Sequence, residues 1–487
     1  MHRSLQRTLL SAAAAALLDG VTPPARAAAP DSAAFAQPGY AIVVSKKTRA
    51  DAGWGEVVET LRARHGARVF DYDGEVESVL PGLRAQFPRY ACFVATPAEA
   101  GREFVAQVHR LTRRLDDDPY TDCLWGILTG YDASNALAIA RCTQPLVVRK
   151  ALAGTALDLD RFEEGVWYSE SQPRHMVRKT RGGRPEPAQA PAADTTAEIA
   201  GVLNGGGADL FVTSGHATER DWQLGYAYRN GQFRCEQGAL FGLDLQGRRW
   251  PVHSPNPKVY LPVGNCLMGH IDGPDAMALA FLNSGGVRQA IGYTVPTWYG
   301  YAGWGCLDYF VEQPGRFNLA EAFFANQQAL LHRLAANFPE LLGRPSGTER
   351  GPPPQVGPAA AARGLGANDG RGLLYDRDTL AFYGDPAWDA RLAPAAQAWD
   401  QTLAERDGVF TFEIRPRRGA DSFGPLDTNG SQRGGRPFFQ FLPRRVSGVE
   451  LVEGADLQPL VTDNFLLVPL PIACDPNRTY RIVFRAR

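Results

Sequence analysis

From Tyr40 onward, short apolar runs alternate with amphipathic stretches. Strand-like runs occur at Tyr40–Val44, Arg68–Tyr72, Ala91–Ala95 and Cys123–Thr129, with helical spacing at 56–64, 75–87 and 98–115 between them. In the last helix Phe104, Val105, Val108, Leu111 and Leu115 share one face. This rhythm predicts an α/β fold, a parallel sheet with helices on both sides.

Residues 172–194 interrupt it with Pro, Gly and basic side chains, the pattern of an exposed, protease-sensitive loop. The rhythm resumes with a helix at Thr196–Leu203 and strands at Asp209–Thr213, Val259–Val263 and Val287–Gly292. A helix at Asp275–Asn283 precedes the last of these strands. A longer helix opens at Asn318, with Glu321 at the third helical position, and runs to about Asn337. A Gly/Pro/Ala-rich stretch at 343–372 reads as a mobile loop. After Glu405 only short strands remain, at Thr411–Ile414, Phe438–Leu442, Phe465–Pro469 and Tyr480–Phe484, as in a small β-sandwich.

The 487 residues suffice for two or three domains; 44% are hydrophobic and 21% charged. A formal charge of -1 leaves no electrostatic footprint for nucleic acid. No apolar run reaches the roughly 18 residues of a membrane span. The N-terminus reads as an export signal: Arg3 and Arg7 precede the apolar Thr8–Leu18, and Ala25-Arg26-Ala27 fits a cleavage site. Seven cysteines leave at least one thiol unpaired, and no CxxC pair suggests zinc or redox chemistry. His270 follows Cys266 at a metal-like spacing, but no second pair completes a set.

Two strands end on reactive residues. Asp209–Thr213 runs into Ser214-Gly215-His216, and Val259–Val263 into Gly264-Asn265-Cys266. Past the carboxyl ends of neighbouring parallel strands, such residues converge on one crevice. A thiol and an imidazole meeting there form a nucleophile with its acid/base partner.

The stretch Gly206–His216, followed by Glu219 and Trp222, resembles the histidine segment of the gingipain family of cysteine peptidases, in the caspase-like clan. Asn265-Cys266-Leu267-Met268-Gly269 resembles that family's nucleophile loop, Gly285–Gly292 its next core strand, and Gly384-Asp385-Pro386 its closing motif. The resemblance implies a caspase/gingipain-like three-layer sandwich of two subdomains with a C-terminal immunoglobulin-like β-sandwich. After the export signal at 1–27, it gives an N-terminal α/β subdomain at 38–160, a catalytic subdomain at 161–400 and the β-sandwich at 406–487. It implies further that Gly165–Glu170 is the strand bringing a carboxylate, Glu170, to orient His216. The backbone N–H groups of Ala217 and Cys266 would form the oxyanion hole, and Trp298 a wall of the substrate pocket beside Asn265. Ala217 stands where the family has Gly, and Asn265 where a small residue is usual.

The implied activity is an exported or cell-surface endopeptidase acting on proteins or peptides. It needs no cofactor, and the resemblance allows a structural calcium ion. A catalytically impaired surface or binding protein on the same fold is the alternative, and an acyl-transferring relative would use the same thiol. No acid lies about a dozen residues after Glu170, where the family binds a basic side chain. The chain has Arg178, Lys179 and Arg181 there, which argues against cleavage after Arg or Lys.

Overall fold

A computed structural model describes residues 39–347, 351–424, 436–470 and 473–487. The expected signal segment, 1–27, lies outside these. A mixed α/β fold is built on one large, mainly parallel sheet of twelve strands, accompanied by small, mostly antiparallel sheets. Its strands are β1 (Tyr40–Ser45), β2 (Arg68–Tyr72), β3 (Tyr90–Val94), β4 (Leu124–Leu128), β5 (Lys150–Ala153) and β6 (Glu164–Tyr168). They continue with β7 (His175–Lys179), β8 (Glu186–Gln189), β9 (Leu210–Thr213), β10 (Lys258–Pro262), β11 (Val287–Tyr293) and β12 (Leu380–Tyr383). The order across the sheet is β2-β1-β3-β4-β12-β11-β10-β9-β5-β6-β7-β8.

Hydrophobic residues of β1, β3, β4, β9, β10 and β12 are buried along their length, as a sheet covered on both faces requires. Helix α1 (Ala52–His65) starts on the Asp51 side chain, which accepts from the N–H groups of Gly53 and Trp54, and ends on left-handed Gly66. Helix α2 (Arg102–Thr112) buries the predicted Phe104, Val105, Val108 and Leu111. Three further helices bear on the candidate site: α3 (Met277–Asn283), α4 (Tyr301–Phe310) and α5 (Leu319–Asn337). Helix α5 opens with the predicted reciprocal cap between Asn318 and Glu321.

The two halves of the sheet meet where β12 pairs with β4 through Tyr383 and Ile127. Strand β5 pairs with β9, so the second half of the sheet takes up chain from residue 150. Asp385, fully buried just after β12, holds the halves together. It accepts from the Tyr40 hydroxyl at 2.8 Å, His65 Nε2 at 2.9 Å and the Ala387 N–H at 2.9 Å. Burial pushes this carboxyl up, but the His65 hydrogen bond and charge, the Ala387 N–H and Arg64 outweigh it and hold it below the usual range. Gly384 precedes it at φ +116°, where a Cβ would lie 2.3 Å from the Arg288 carbonyl oxygen.

Two expectations change. Residues 172–194 contain a hairpin, β7 and β8, that extends the sheet edge; Pro187 is accommodated there because an edge strand needs no N–H on its outer side. The stretch 343–372 contains helix Pro358–Ala362 and leads into helix Ala367–Asp376. Between β9 and β10 an antiparallel sheet runs through 221–223, 232–236, 239–243 and 249–252. Beyond residue 398, a four-stranded and a three-stranded antiparallel sheet enclose Phe410, Phe412, Phe438, Leu466, Tyr480 and Phe484. All seven cysteines are free thiols. No helix of the described residues is long and apolar enough to cross a membrane.

Asp385→Ala should remove the shared acceptor of Tyr40 and His65. A loss of about 3–5 kcal/mol in urea denaturation is expected, the range for breaking a buried ionic partnership.

Candidate active site

Strands β9 and β10 run parallel with Thr213 opposite Pro262. Their extensions carry His216 and Cys266 into neighbouring loops at the same sheet edge. Backbone geometry makes both turns tight. Gly215 has φ +92°, and a Cβ at Gly264 would lie 2.4 Å from Ser214 Oγ. Leu267, directly after the thiol, has φ +58°, a strained conformation for a branched side chain. Gly269 approaches Gly292 so closely that a Cβ would lie 2.1 Å from the Gly292 carbonyl oxygen, which explains the glycine after the cysteine.

Cys266 is half-buried, and its Sγ accepts the Thr297 N–H at 3.2 Å. His216 is exposed and stacks on Tyr226, with ring centres 4.8 Å apart. Among the described residues, no hydrogen bond joins the imidazole to Cys266 or to Glu170. Glu170 follows the end of β6, two strands beyond β9. Its Oε1 accepts from the Thr155 hydroxyl at 2.9 Å, while Oε2 is buried without a partner among the described residues. That free oxygen lies 3.0 Å from where a Gly215 Cβ would stand, directly beside the histidine loop. Burial pushes the Glu170 carboxyl up, and the Thr155 hydrogen bond only partly offsets this.

The backbone N–H groups of Ala217 and Cys266 donate to none of the described residues. Ala217 faces Trp222 in an isolated antiparallel bridge whose hydrogen bonds run from Gln223 N–H to the His216 carbonyl and from Thr218 N–H to the Asp221 carbonyl. The Ala217 N–H therefore points out of the bridge.

Asn265, expected to contact substrate, is fully buried with both polar groups committed. Its Oδ1 accepts from the Thr213 hydroxyl at 2.6 Å, and its Nδ2 donates to the Gly215 carbonyl at 3.0 Å. It braces the histidine loop against the cysteine loop, and its burial keeps it from direct contact with a ligand at the surface. Trp298 is 63% exposed in the loop after β11, whereas Tyr301 and Trp304 of the same aromatic run are core. The basic cluster does not approach Glu170. Arg178 pairs with Val166 and Lys179 with Gly165, toward the far end of β6 from Glu170, and Lys179 and Arg181 meet Asp160 and Glu163 there.

Sequence reasoning missed Thr297, Thr155 and Tyr226. Thr297 was accessible, since it follows β11, the neighbour of β10, and precedes the singled-out Trp298. Thr155 and Tyr226 carried no local signal, because both reach the site through tertiary packing.

Among the described residues, one acidic group has the spacing to hold a metal: Asp116, Asp118 and Asp463. Arg445 already pairs with Asp463 and lies 3.7 Å from Asp116, so these carboxylates are not an open calcium cradle.

No protein-family model and no curated protein matches the sequence. Among solved structures, the chain is similar to the complex of Porphyromonas gingivalis RgpB pro- and mature domains. The TM-score is 0.43 at 11% identity, covering 92% of this chain and 93% of that one. It is also similar to a structure described only as that of a protease, with TM-score 0.41 and 11% identity over 78% and 86% of the two chains. Likeness at this level assigns no chemistry to the present chain.

Glu170→Gln should replace a carboxylate that is costly to ionise. The wild-type penalty sets in as pH rises past the carboxyl's ordinary unfolded value, is complete once pH exceeds the raised folded value, and is absent well below pH 4, where the group is protonated folded or unfolded. The variant should therefore melt higher than wild type at pH 8, with the difference vanishing near pH 3.5.

Proposed function

We propose that the chain is an exported cysteine endopeptidase of gingipain-like type, with caspase-like layering and an immunoglobulin-like C-terminal unit. One observation carries this reading. A half-buried thiol and an exposed imidazole follow neighbouring parallel strands, each accompanied by a backbone N–H with no acceptor among the described residues.

In this mechanism the Cys266 thiolate attacks the scissile carbonyl carbon. A C–S bond forms, and the carbonyl electron pair moves onto oxygen, held by the N–H groups of Cys266 and Ala217. As the C–N bond breaks, the His216 imidazolium gives its proton to the leaving amine. Water, deprotonated by His216, then attacks the thioester, and C–S cleavage releases the acid and restores the thiolate.

His216 reaches this arrangement by turning from its Tyr226 stack toward Cys266, with its other ring nitrogen donating to Glu170 Oε2. The unpaired oxygen beside Gly215 suits that role: the ring nitrogen would supply its missing partner, and the carboxylate would stabilise the imidazolium. Trp298 supplies an exposed aromatic wall for a substrate side chain.

Fluorogenic peptides with Arg, Lys, Asn, Asp or Leu before the scissile bond test the reading. Cys266→Ala and His216→Ala should each abolish turnover while melting within a few degrees of wild type. The double variant should be no worse than either single, because the two groups act as one unit. Loss of folding in both singles, or turnover that survives Cys266→Ala, would refute the assignment. Glu170→Gln should reduce kcat by less than either.

A further inference from the structure

A trans peptide unit directs its C=O and N–H in opposite directions, so anchoring the carbonyl also aims the N–H. Both free N–H groups at this site belong to peptide units anchored in that way. The His216 carbonyl accepts from the Gln223 N–H at 2.9 Å, which fixes the peptide ending in the Ala217 N–H. The Asn265 carbonyl accepts from the Thr297 hydroxyl at 2.9 Å, which fixes the peptide ending in the Cys266 N–H. The first anchor is main chain and the second is a single side chain. The same Thr297 sends its own N–H to Cys266 Sγ at 3.2 Å, so one residue grips both sides of the nucleophile.

We infer that Thr297 is a positioning residue of this site, whose hydroxyl aims the Cys266 N–H at the oxyanion while its backbone N–H steadies the sulfur. This inference rests on the peptidase reading above. Thr297 is well placed for the task. Its loop is tied to the nucleophile turn by the Leu267 N–H to the Val295 carbonyl at 3.1 Å, so hydroxyl and thiol move together. The neighbouring Asn265 side chain holds the Gly215 carbonyl, so movement of the Asn265–Cys266 peptide would also be felt in the histidine loop.

Thr297→Val keeps shape and backbone but removes the hydroxyl; Thr297→Ser restores the hydroxyl without the methyl. Three readouts separate positioning from packing: kcat and KM on a fluorogenic peptide, affinity for a peptide aldehyde, and the rate at which iodoacetamide alkylates Cys266. The aldehyde takes up the thiol as a hemithioacetal, the sulfur bonding to carbon and the thiol proton passing to the carbonyl oxygen, so its binding reports on the oxyanion donors. Alkylation at sulfur needs no oxyanion hole.

Thr297→Val should lower kcat about 10–100-fold, below the loss for deleting a donor outright, because the N–H remains but is no longer aimed. KM should change by less than about twofold, since the contact acts in the transition state. Aldehyde affinity should fall in step with kcat, the alkylation rate should hold, and Thr297→Ser should recover most of the loss. Undiminished kcat and aldehyde affinity in Thr297→Val would overturn the inference alone. So would a loss that Thr297→Ser fails to rescue. A wild-type protein that neither cleaves peptides nor binds the aldehyde, while Cys266 still alkylates, would overturn the peptidase reading and this inference with it.

Discussion

The parallel pairing of β9 with β10 is the constraint on which the candidate site depends. With Thr213 opposite Pro262, the chain leaves both strands at the same edge, and a few residues later it presents an imidazole on one and a thiol on the other. A change of register would alter which side chains emerge at that edge. Asn265 reinforces the register where the ladder ends. Its amide replaces the next rung, taking the Thr213 hydroxyl on one side and the Gly215 carbonyl on the other. Each such bond contributes only about 1 kcal/mol net, but a buried carbonyl left without its donor would cost about 1–3 kcal/mol. The brace therefore acts mainly by penalising every arrangement in which the two loops separate.

Around this rigid edge the structure tolerates several unfavourable features. Leu267 is held at positive φ, the Glu170 carboxyl is desolvated with one oxygen unpaired, and Tyr226 is 58% exposed under the imidazole. None of these assists folding, and each lies next to a chemically capable group. The surrounding core offsets them. Val212, Leu261, Val263 and Ile291 are essentially inaccessible to solvent, and Trp222 donates its indole N–H to the Ser214 carbonyl beneath the histidine loop. Strain concentrated where the scaffold is densest points to function, since a freely evolving loop would relax it.

Much of this was legible in the sequence, and the limits have physical causes. The strands β1 to β4, β9, β10 and β11 and the cap of α5 follow from local hydrophobic pattern and capping chemistry, so they appear close to where the residues predict them. The Gly, Pro and basic residues of 175–189 look like turn chemistry, which hides the hairpin they form. As an edge element, it pairs on one side of the sheet only and needs little apolar surface. Asn265, expected to contact substrate beside Trp298, is instead fully buried. Only tertiary structure shows that its amide is engaged by Thr213 and Gly215. The sequence located Trp298 but passed over Thr297, whose contribution lies in a hydroxyl and an N–H rather than in any pattern of hydrophobicity or charge.

The C-terminal sheets belong to the same mechanical unit as the site. Phe439 and Phe465 pack against Phe324 of α5, at ring-centre distances of 6.0 and 6.2 Å, and join the main core. Arg436, which enters the three-stranded sheet, pairs with Asp308 at 2.8 Å and donates to the Tyr301 carbonyl at 2.9 Å, gripping α4 at its first turn and near its end. Helix α4 begins four residues after Thr297. The loop carrying Thr297 is thus fixed at one end by β11 and at the other by a helix that the C-terminal unit clamps. Its short span leaves little freedom for the Thr297 hydroxyl and N–H to drift from the Asn265–Cys266 peptide and the sulfur. A site whose donors must be preorganised gains from support on both ends of such a loop, because precision at the reacting atoms depends on the stiffness of what lies behind them. On this view the β-rich unit acts on the candidate chemistry through α4, without contributing a residue to it.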